Sequence, residues 1–191
     1  HMEKIYNISR EHNIAIHLDG ARLFNAATYL NVDVKDITKY CDSVMFSLSK
    51  GLCAPVGSIL AGSNDFIKKA RKKRKLMGGG LRQAGVLAAP GLVALKEMIP
   101  QLKKDYENAL LLGKELSKMP NIKVNLENIN INMVFFSIEN INYNEEDIVN
   151  KFYNKGIKIN GKEDGKFRFV THYWIKKEDI SYIIETMKTC L

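Results

Sequence analysis

The chain has 191 residues, and its 46% hydrophobic content is enough to bury a core in one large or two small domains. Its longest nearly uninterrupted apolar stretch, residues 86–95, is about half of a bilayer span, and its three cysteines form no CxxC pair. These features exclude a membrane segment and a disulfide or zinc framework. The net charge is +8, and residues 68–75 alone supply seven positive charges.

Two apolar runs in the first quarter of the chain each lead into a charged residue. Residues 14–16 precede Asp19, and residues 44–46 precede Lys50. We interpret both runs as neighbouring buried parallel strands, because open α/β sheets bind ligands at the carboxyl ends of their strands. Alone, either residue is more typical of an exposed turn or loop. Together they predict a site at one edge of the sheet.

The chemistry of this pair points to pyridoxal phosphate. That cofactor needs a lysine amine to bind it covalently and an anion to keep its ring nitrogen protonated, so that the ring can accept an electron pair. Lys50 can supply the amine and Asp19 can supply the anion. The sequence therefore predicts a pyridoxal-phosphate site that uses these two residues.

A helix is predicted next, with Ser63 or Asn64 as its N-cap and Asp65 in its first turn. It continues through the basic run Lys68–Lys75, which contains no aromatic residue for base stacking. A solvated helix face is the ordinary role of such a run, so we expect no nucleic-acid partner. A non-catalytic polyanion-binding module that uses Lys68–Lys75 stays open as an alternative.

The triplet Gly78–Gly80 predicts a turn that opens into another helix at Leu81. Glycine permits positive φ, so backbone N–H groups and the helix start can together hold an anion, although three glycines can equally serve only as a link. Helical periodicity extends from Gln83 to Met119, and breaks or kinks are expected at Pro90 and Pro100.

A domain boundary is predicted near Pro100, where the pattern changes to short strands. We expect the remainder to be a small α+β domain. Its predicted strands are 122–126, 131–138, 157–160 and 166–171, and its predicted helices are 144–155, ended by Gly156, and a last one from about 176. In the last strand, alternation places Phe167 and Phe169 in the core and Arg168 on the opposite face.

Three segments together resemble the L-threonine aldolases of low specificity, which belong to the β-eliminating lyases of pyridoxal-phosphate fold type I. They are HLDGARLFNAA (17–27), SLSKGLCAPVGSILAG (47–62) and KLMGGGLRQAG (75–85), with weaker support from 132–136 and clearer support from RFVTH (168–172). The resemblance implies an α/β fold. Residues 1–100 would be the carboxy-terminal part of an aspartate-aminotransferase-like large, cofactor-binding domain, and residues 101–191 a small α+β carboxy-terminal domain.

The resemblance also implies roles for individual residues. Lys50 is expected to be catalytic, and Asp19, Lys50, Arg22 and Arg82 are expected to bind pyridoxal 5'-phosphate. Arg168, together with Arg22, would bind the substrate α-carboxylate, which a planar guanidinium can hold through two hydrogen bonds. No metal site is predicted. The implied reaction is cleavage of L-threonine or L-allo-threonine to glycine and acetaldehyde.

The same resemblance implies that much of the large domain lies outside this sequence, since only eighteen residues precede Asp19. His1-Met2 is typical of an expression-vector remnant. We therefore expect a carboxy-terminal fragment that is inactive alone and, when full length, a cytoplasmic homodimer or homotetramer acting on a small amino acid. Another lyase or transaminase of this fold remains an alternative. His17 and His172 have no assigned role.

Overall fold

The computed structural model describes residues 1–139 and 142–191. The chain divides into two compact units, His1–Pro100 and Gln101–Leu191. Each unit contains helices and one three-stranded sheet. Within the described ranges, no helix combines the length and the apolar character that crossing a membrane requires.

The sheet of the first unit consists of β1 (His17–Asp19), β2 (Ser43–Ser47) and β3 (Ser58–Gly62), in that order. β1 and β2 are parallel, and β2 and β3 are antiparallel. Two neighbouring parallel strands are present as predicted, but the first is His17–Asp19, and the predicted strand at residues 14–16 does not form. Their predicted burial is wrong for β1, which lies at the edge of the sheet formed by the described residues and exposes both of its terminal side chains.

The first unit also contains five helices. They are α1 (Met2–Glu11), α2 (Leu23–Leu30), α3 (Val34–Thr38), α4 (Asn64–Leu76) and α5 (Gly85–Glu97). Leu23 and Ala27, one turn apart on α2, pack with Ile37 of α3 and Val44 of β2 into a small buried cluster. This cluster anchors the chain between the two parallel strands.

The basic helix α4 begins where the sequence predicts. The Ser63 hydroxyl accepts a hydrogen bond from the Phe66 N–H at 3.3 Å, and Asp65 lies in the first turn, where a negative charge favours the helix dipole. None of the thirteen residues of α4, all of them described, is buried. The helix therefore presents its basic run to solvent.

Helix α5 differs from the prediction in two respects. It begins at Gly85 rather than at Leu81, because Gln83 has a φ of 51°, which lies outside the helical region. It also continues through Pro90, so the chain does not break at that proline. The chain does break at Pro100, before the next helix.

The second unit consists of an antiparallel sheet packed against three helices. The strands are β4 (Ile122–Val124), β5 (Met133–Ile138) and β6 (Phe167–Val170), and the helices are α6 (Leu102–Leu116), α7 (Glu145–Asn154) and α8 (Lys177–Cys190), with a 3-10 turn at Leu126–Asn128. The Phe136 ring stacks on those of Phe167 and Phe169, with centroid distances of 5.5 and 5.2 Å. These rings form the centre of one continuous core with side chains from all three helices.

Most predicted elements of the second unit are present, and one is not. Residues 157–160 do not form a strand, although Ile159 is buried in the core. Their alternating apolar residues serve packing, whereas a strand also requires a paired backbone. Asn144 caps α7 by accepting hydrogen bonds from the N–H groups of residues 146 and 147, and Gly156 follows that helix with a φ of 76°.

Candidate active site

Asp19 and Lys50 leave the first sheet at the same end. Asp19 is the last residue of β1, and Lys50 comes three residues after the end of β2. Because β1 and β2 are parallel neighbours with Asp19 opposite Met45, Asp19 lies at the carboxyl end of its strand and Lys50 lies beyond the carboxyl end of the next one. A carboxylate and an amine are thereby placed at one edge of the sheet.

The turn after β1 orients the Asp19 carboxylate. Its Oδ1 accepts a hydrogen bond from the Ala21 N–H at 3.1 Å, and the Gly20 N–H donates to the Met45 carbonyl at 2.8 Å. A Cβ at Gly20 would lie only 2.8 Å from that same carbonyl oxygen. Glycine is therefore required for this close approach, which holds Asp19 against the second strand.

Lys50 occupies an exposed turn between two buried leucines. Leu48 and Leu52 anchor the turn in the interior, and the Cys53 N–H donates to the Lys50 carbonyl at 2.9 Å. Cys53 has a φ of 60°, a left-handed conformation more typical of glycine. In the described part of the chain, no acidic side chain forms an ion pair with the Lys50 amine. The amine is therefore available to a ligand.

The two other predicted residues of this unit differ in their placement. Arg22 lies three residues after Asp19 and precedes α2, and the turn between them is closed by a hydrogen bond from the Leu23 N–H to the Gly20 carbonyl at 2.7 Å. Arg82 lies in the exposed loop between α4 and α5. No hydrogen bond or ion pair within residues 1–139 and 142–191 joins Arg82 to Asp19 or Lys50.

The chemistry of these side chains fits pyridoxal phosphate. The cofactor presents an aldehyde, which reacts with an amine, and a ring nitrogen, which a carboxylate keeps protonated. Lys50 and Asp19 offer these two groups at the carboxyl ends of two neighbouring strands. Arg22, three residues after Asp19, adds a cation suited to an anionic group on the cofactor or the substrate.

Arg168 lies in the second unit, in the middle of β6. Phe167 is fully buried and Phe169 is nearly so, whereas Arg168 is partly exposed, which confirms the predicted alternation. The Arg168 Nη1 lies 3.0 Å from Oε2 of Glu163, and its guanidinium carbon lies 5.9 Å from the centroid of the Phe135 ring.

A cavity of about 340 Å³ surrounds the exposed side of Arg168. Val170 and His172 follow Arg168 at every second position, so they line the cavity from the same face of the chain. Residues 158–161 and Glu163 also line it. This cavity offers a guanidinium to a small anionic ligand.

The two unassigned histidines have different surroundings. The His17 Nδ1 lies 2.9 Å from the Ser43 hydroxyl on the neighbouring strand, directly across the sheet, which is typical of a structural histidine. The His172 ring contacts the Trp174 ring at a centroid distance of 5.8 Å, and its buried Nδ1 has no hydrogen-bond partner among the described residues.

Glu163 was not predicted as a site residue. A signal for it exists in the sequence, because Asp164-Gly165 favours a tight hairpin that places the preceding residue beside the strand that follows. Such a turn predicts that Glu163 and Arg168 are cross-strand neighbours. Their pairing could therefore have been inferred from the turn residues.

Comparisons with known proteins relate this chain to one enzyme family. The family model described as "Beta-eliminating lyase" matches residues 1–139. The Arabidopsis thaliana protein "Low-specificity L-threonine aldolase 1" is 40% identical over 190 residues, covering 99% of this chain and 53% of that protein. The Escherichia coli K12 "Low specificity L-threonine aldolase" is 47% identical over 116 residues, covering 61% and 35%, respectively.

A solved structure shows the same fold at lower identity. The Leishmania major threonine aldolase is 20% identical and superposes with a TM-score of 0.74, covering 100% of this chain and 56% of that one. The chain thus spans about half the length of the curated Arabidopsis relative and of this solved structure.

Proposed function

This chain belongs to the β-eliminating lyase family, and we propose that it supplies about half of a pyridoxal-phosphate-dependent threonine aldolase. The proposed reaction cleaves L-threonine or L-allo-threonine to glycine and acetaldehyde. The observation that supports it most is the position of Asp19 at the carboxyl end of one strand and of Lys50 just beyond the carboxyl end of its parallel neighbour. The names of the similar proteins support the choice of substrate.

In this proposal the residues of the first unit hold the cofactor. When bound, pyridoxal phosphate supplies an electron sink for the pair released as the Cα–Cβ bond breaks. Lys50 binds it through the side-chain amine, and Asp19, oriented by the Ala21 N–H, keeps the ring nitrogen protonated. Arg22 and Arg82 are proposed to bind its anionic group.

The substrate is proposed to bind through its α-carboxylate to Arg168. A guanidinium can donate two parallel hydrogen bonds to a carboxylate, which fixes the orientation of the amino acid as well as its position. The cavity of about 340 Å³ beside Arg168 supports this role, because a small anion has room there.

The decisive experiment is covalent labelling of the purified chain, and of the complete enzyme that contains it, with pyridoxal phosphate and borohydride. We expect the mass of one reduced cofactor on Lys50 and its loss in Lys50→Ala. Lys39→Ala is the matched control, because Lys39 is an exposed lysine of the same unit that pairs with Asp36. If Lys50→Ala and Lys39→Ala are both labelled as fully as the unsubstituted protein, the proposed attachment to Lys50 is refuted.

Product analysis on the complete enzyme separates the aldolase from other enzymes of this fold. L-threonine and L-allo-threonine are expected to yield glycine and acetaldehyde, and aromatic amino acids are expected to remain unreacted. Release of ammonia or formation of a keto acid would instead identify a different lyase or a transaminase. The isolated chain is expected to have little activity, since it spans about half the length of its relatives.

A further inference from the structure

A tight hairpin leads into β6 and fixes the position of Glu163. Glu163 and Lys166 exchange two backbone hydrogen bonds, of 2.9 and 3.1 Å, and form an antiparallel bridge. Asp164 and Gly165 between them have φ values of 49° and 76°. Two consecutive positive φ values are typical of a type I′ turn, for which Asp-Gly is a preferred sequence.

The register of this hairpin brings a carboxylate to Arg168. Glu163 is directly opposite Lys166, and Arg168 lies two positions further along the same face of the strand. Diagonal neighbours of this kind have Cα atoms about 7–8 Å apart, a distance that long side chains can bridge. The two side chains do meet, with 3.0 Å between the Arg168 Nη1 and the Glu163 Oε2.

Building on the role of Arg168 in the proposed function, we infer that Glu163 competes with the substrate α-carboxylate for the Arg168 guanidinium. Glu163 thereby sets the affinity of the enzyme for its amino acid. Both side chains line the same cavity, so an anion bound to Arg168 lies close to the Glu163 carboxylate. Like charges in such proximity repel, and the substrate must either displace Glu163 or bind beside it.

The contact is of a kind that a ligand can displace. The Glu163 side chain is 57% exposed and that of Arg168 is 34% exposed, so water can replace either partner. Half-exposed ion pairs are weak, and removing the competitor is expected to strengthen substrate binding by roughly two- to five-fold. Added salt screens exposed charges, so the gain should shrink as ionic strength rises.

The test is Glu163→Gln in the complete enzyme, with Asp164→Asn as the matched control. Asp164→Asn removes one negative charge from the same turn, and Asn-Gly also favours the type I′ conformation. We expect Glu163→Gln to lower the KM for L-threonine and the Kd for glycine by roughly two- to five-fold at low salt, with kcat unchanged. The control is expected to leave both constants unchanged.

Two other results for Glu163→Gln would overturn the inference. An unchanged KM would make Glu163 a bystander, and a raised KM would make it a positioning residue that holds Arg168 for the substrate. Arg168→Gln separates this failure from that of the proposed function, because loss of a carboxylate clamp should raise KM by roughly 10- to 100-fold. An unchanged KM in Arg168→Gln would overturn both the clamp and the competition for it.

Discussion

The two units differ in how completely they bury their apolar side chains. In the second unit, one face of the sheet and three helices enclose a core in which Val134, Phe152 and Phe167 have no exposed surface. In the first unit, Leu76 and Met77 are 80% and 84% exposed. Leu81 and Val86 of the same unit are also exposed, at 68% and 76%.

The unit with the more complete core is therefore not the unit that carries Asp19 and Lys50. The second unit contains the contacts that stabilise it, and it contributes Arg168 on the open face of its sheet. The first unit carries Asp19 and Lys50, but β1 is at the edge of its sheet and α4 buries no residue. The residues proposed to hold the cofactor therefore lie in the part of the chain with the weaker internal support.

Expressing the two units separately would test this comparison most strongly. We expect residues 101–191 to unfold cooperatively on heating, because their core is continuous. Residues 1–100 are expected to show a broad transition and to bind a hydrophobic dye, because their apolar surface is uncovered. Circular dichroism and dye fluorescence measure both properties. Equally cooperative unfolding of the two pieces would contradict the difference in burial between the units.

Neighbouring phenylalanines on β5 would locate the stability of the second unit. Phe136→Ala removes a buried ring that stacks on two others and should destabilise the unit by about 3–5 kcal/mol. Phe135→Ala, on the opposite and partly exposed face, should cost less than about 1 kcal/mol. Urea denaturation of residues 101–191 measures both changes. Similar losses for the two variants would contradict a one-sided core.

Gly20→Ala should affect the first unit and its site together. The added Cβ would meet the Met45 carbonyl oxygen, which as backbone has little freedom to move, so we expect a cost of about 1–3 kcal/mol and less covalent cofactor on Lys50. Gly85→Ala is the control, because a Cβ there meets no atom within 4 Å. Borohydride trapping on the complete enzyme checks the site. Full labelling of Gly20→Ala would show that the turn tolerates the change.

The elements that the sequence predicted correctly depend on local signals. Ser63 caps α4 through its own hydroxyl, and the alternation around Arg168 follows from the pleat of one strand. The errors concern features that local periodicity does not encode. Residues 157–160 have the alternation of a strand but no paired backbone, and α5 starts late because of the single positive φ at Gln83.

The candidate site shows the same division. The placement of Asp19 and Lys50 at the same end of the sheet could be predicted because the strands that lead into them are parallel neighbours. The ion pair between Glu163 and Arg168 was missed because it depends on the register of a hairpin, which one inserted residue would change. Periodicity predicts which face a residue lies on, whereas turn geometry decides which residue it meets.

The smallest expected effect concerns the ion pair that joins α1 to the start of β2 in the first unit. The Arg10 guanidinium donates two hydrogen bonds to the Asp42 carboxylate, and the Ile16 N–H donates a third at 2.7 Å. These contacts, with that of Arg10 the largest, hold the pKa of Asp42 below its ordinary value. The charged carboxylate therefore stabilises the folded state.

The sign of the pH dependence follows from this lowered pKa. The stabilisation is fully present above the unfolded-state pKa of about 4 and is lost as pH falls through the lower folded-state value. Asp42→Asn should therefore lower the denaturation temperature of the complete enzyme by roughly 1–3 °C at pH 7, with the deficit shrinking below about pH 4. Glu11→Gln is the control, because Glu11 follows Arg10 at the end of α1, and it is expected to show no such trend. A deficit that stays constant into acid would mean that Asp42 acts through packing and that its charge contributes nothing.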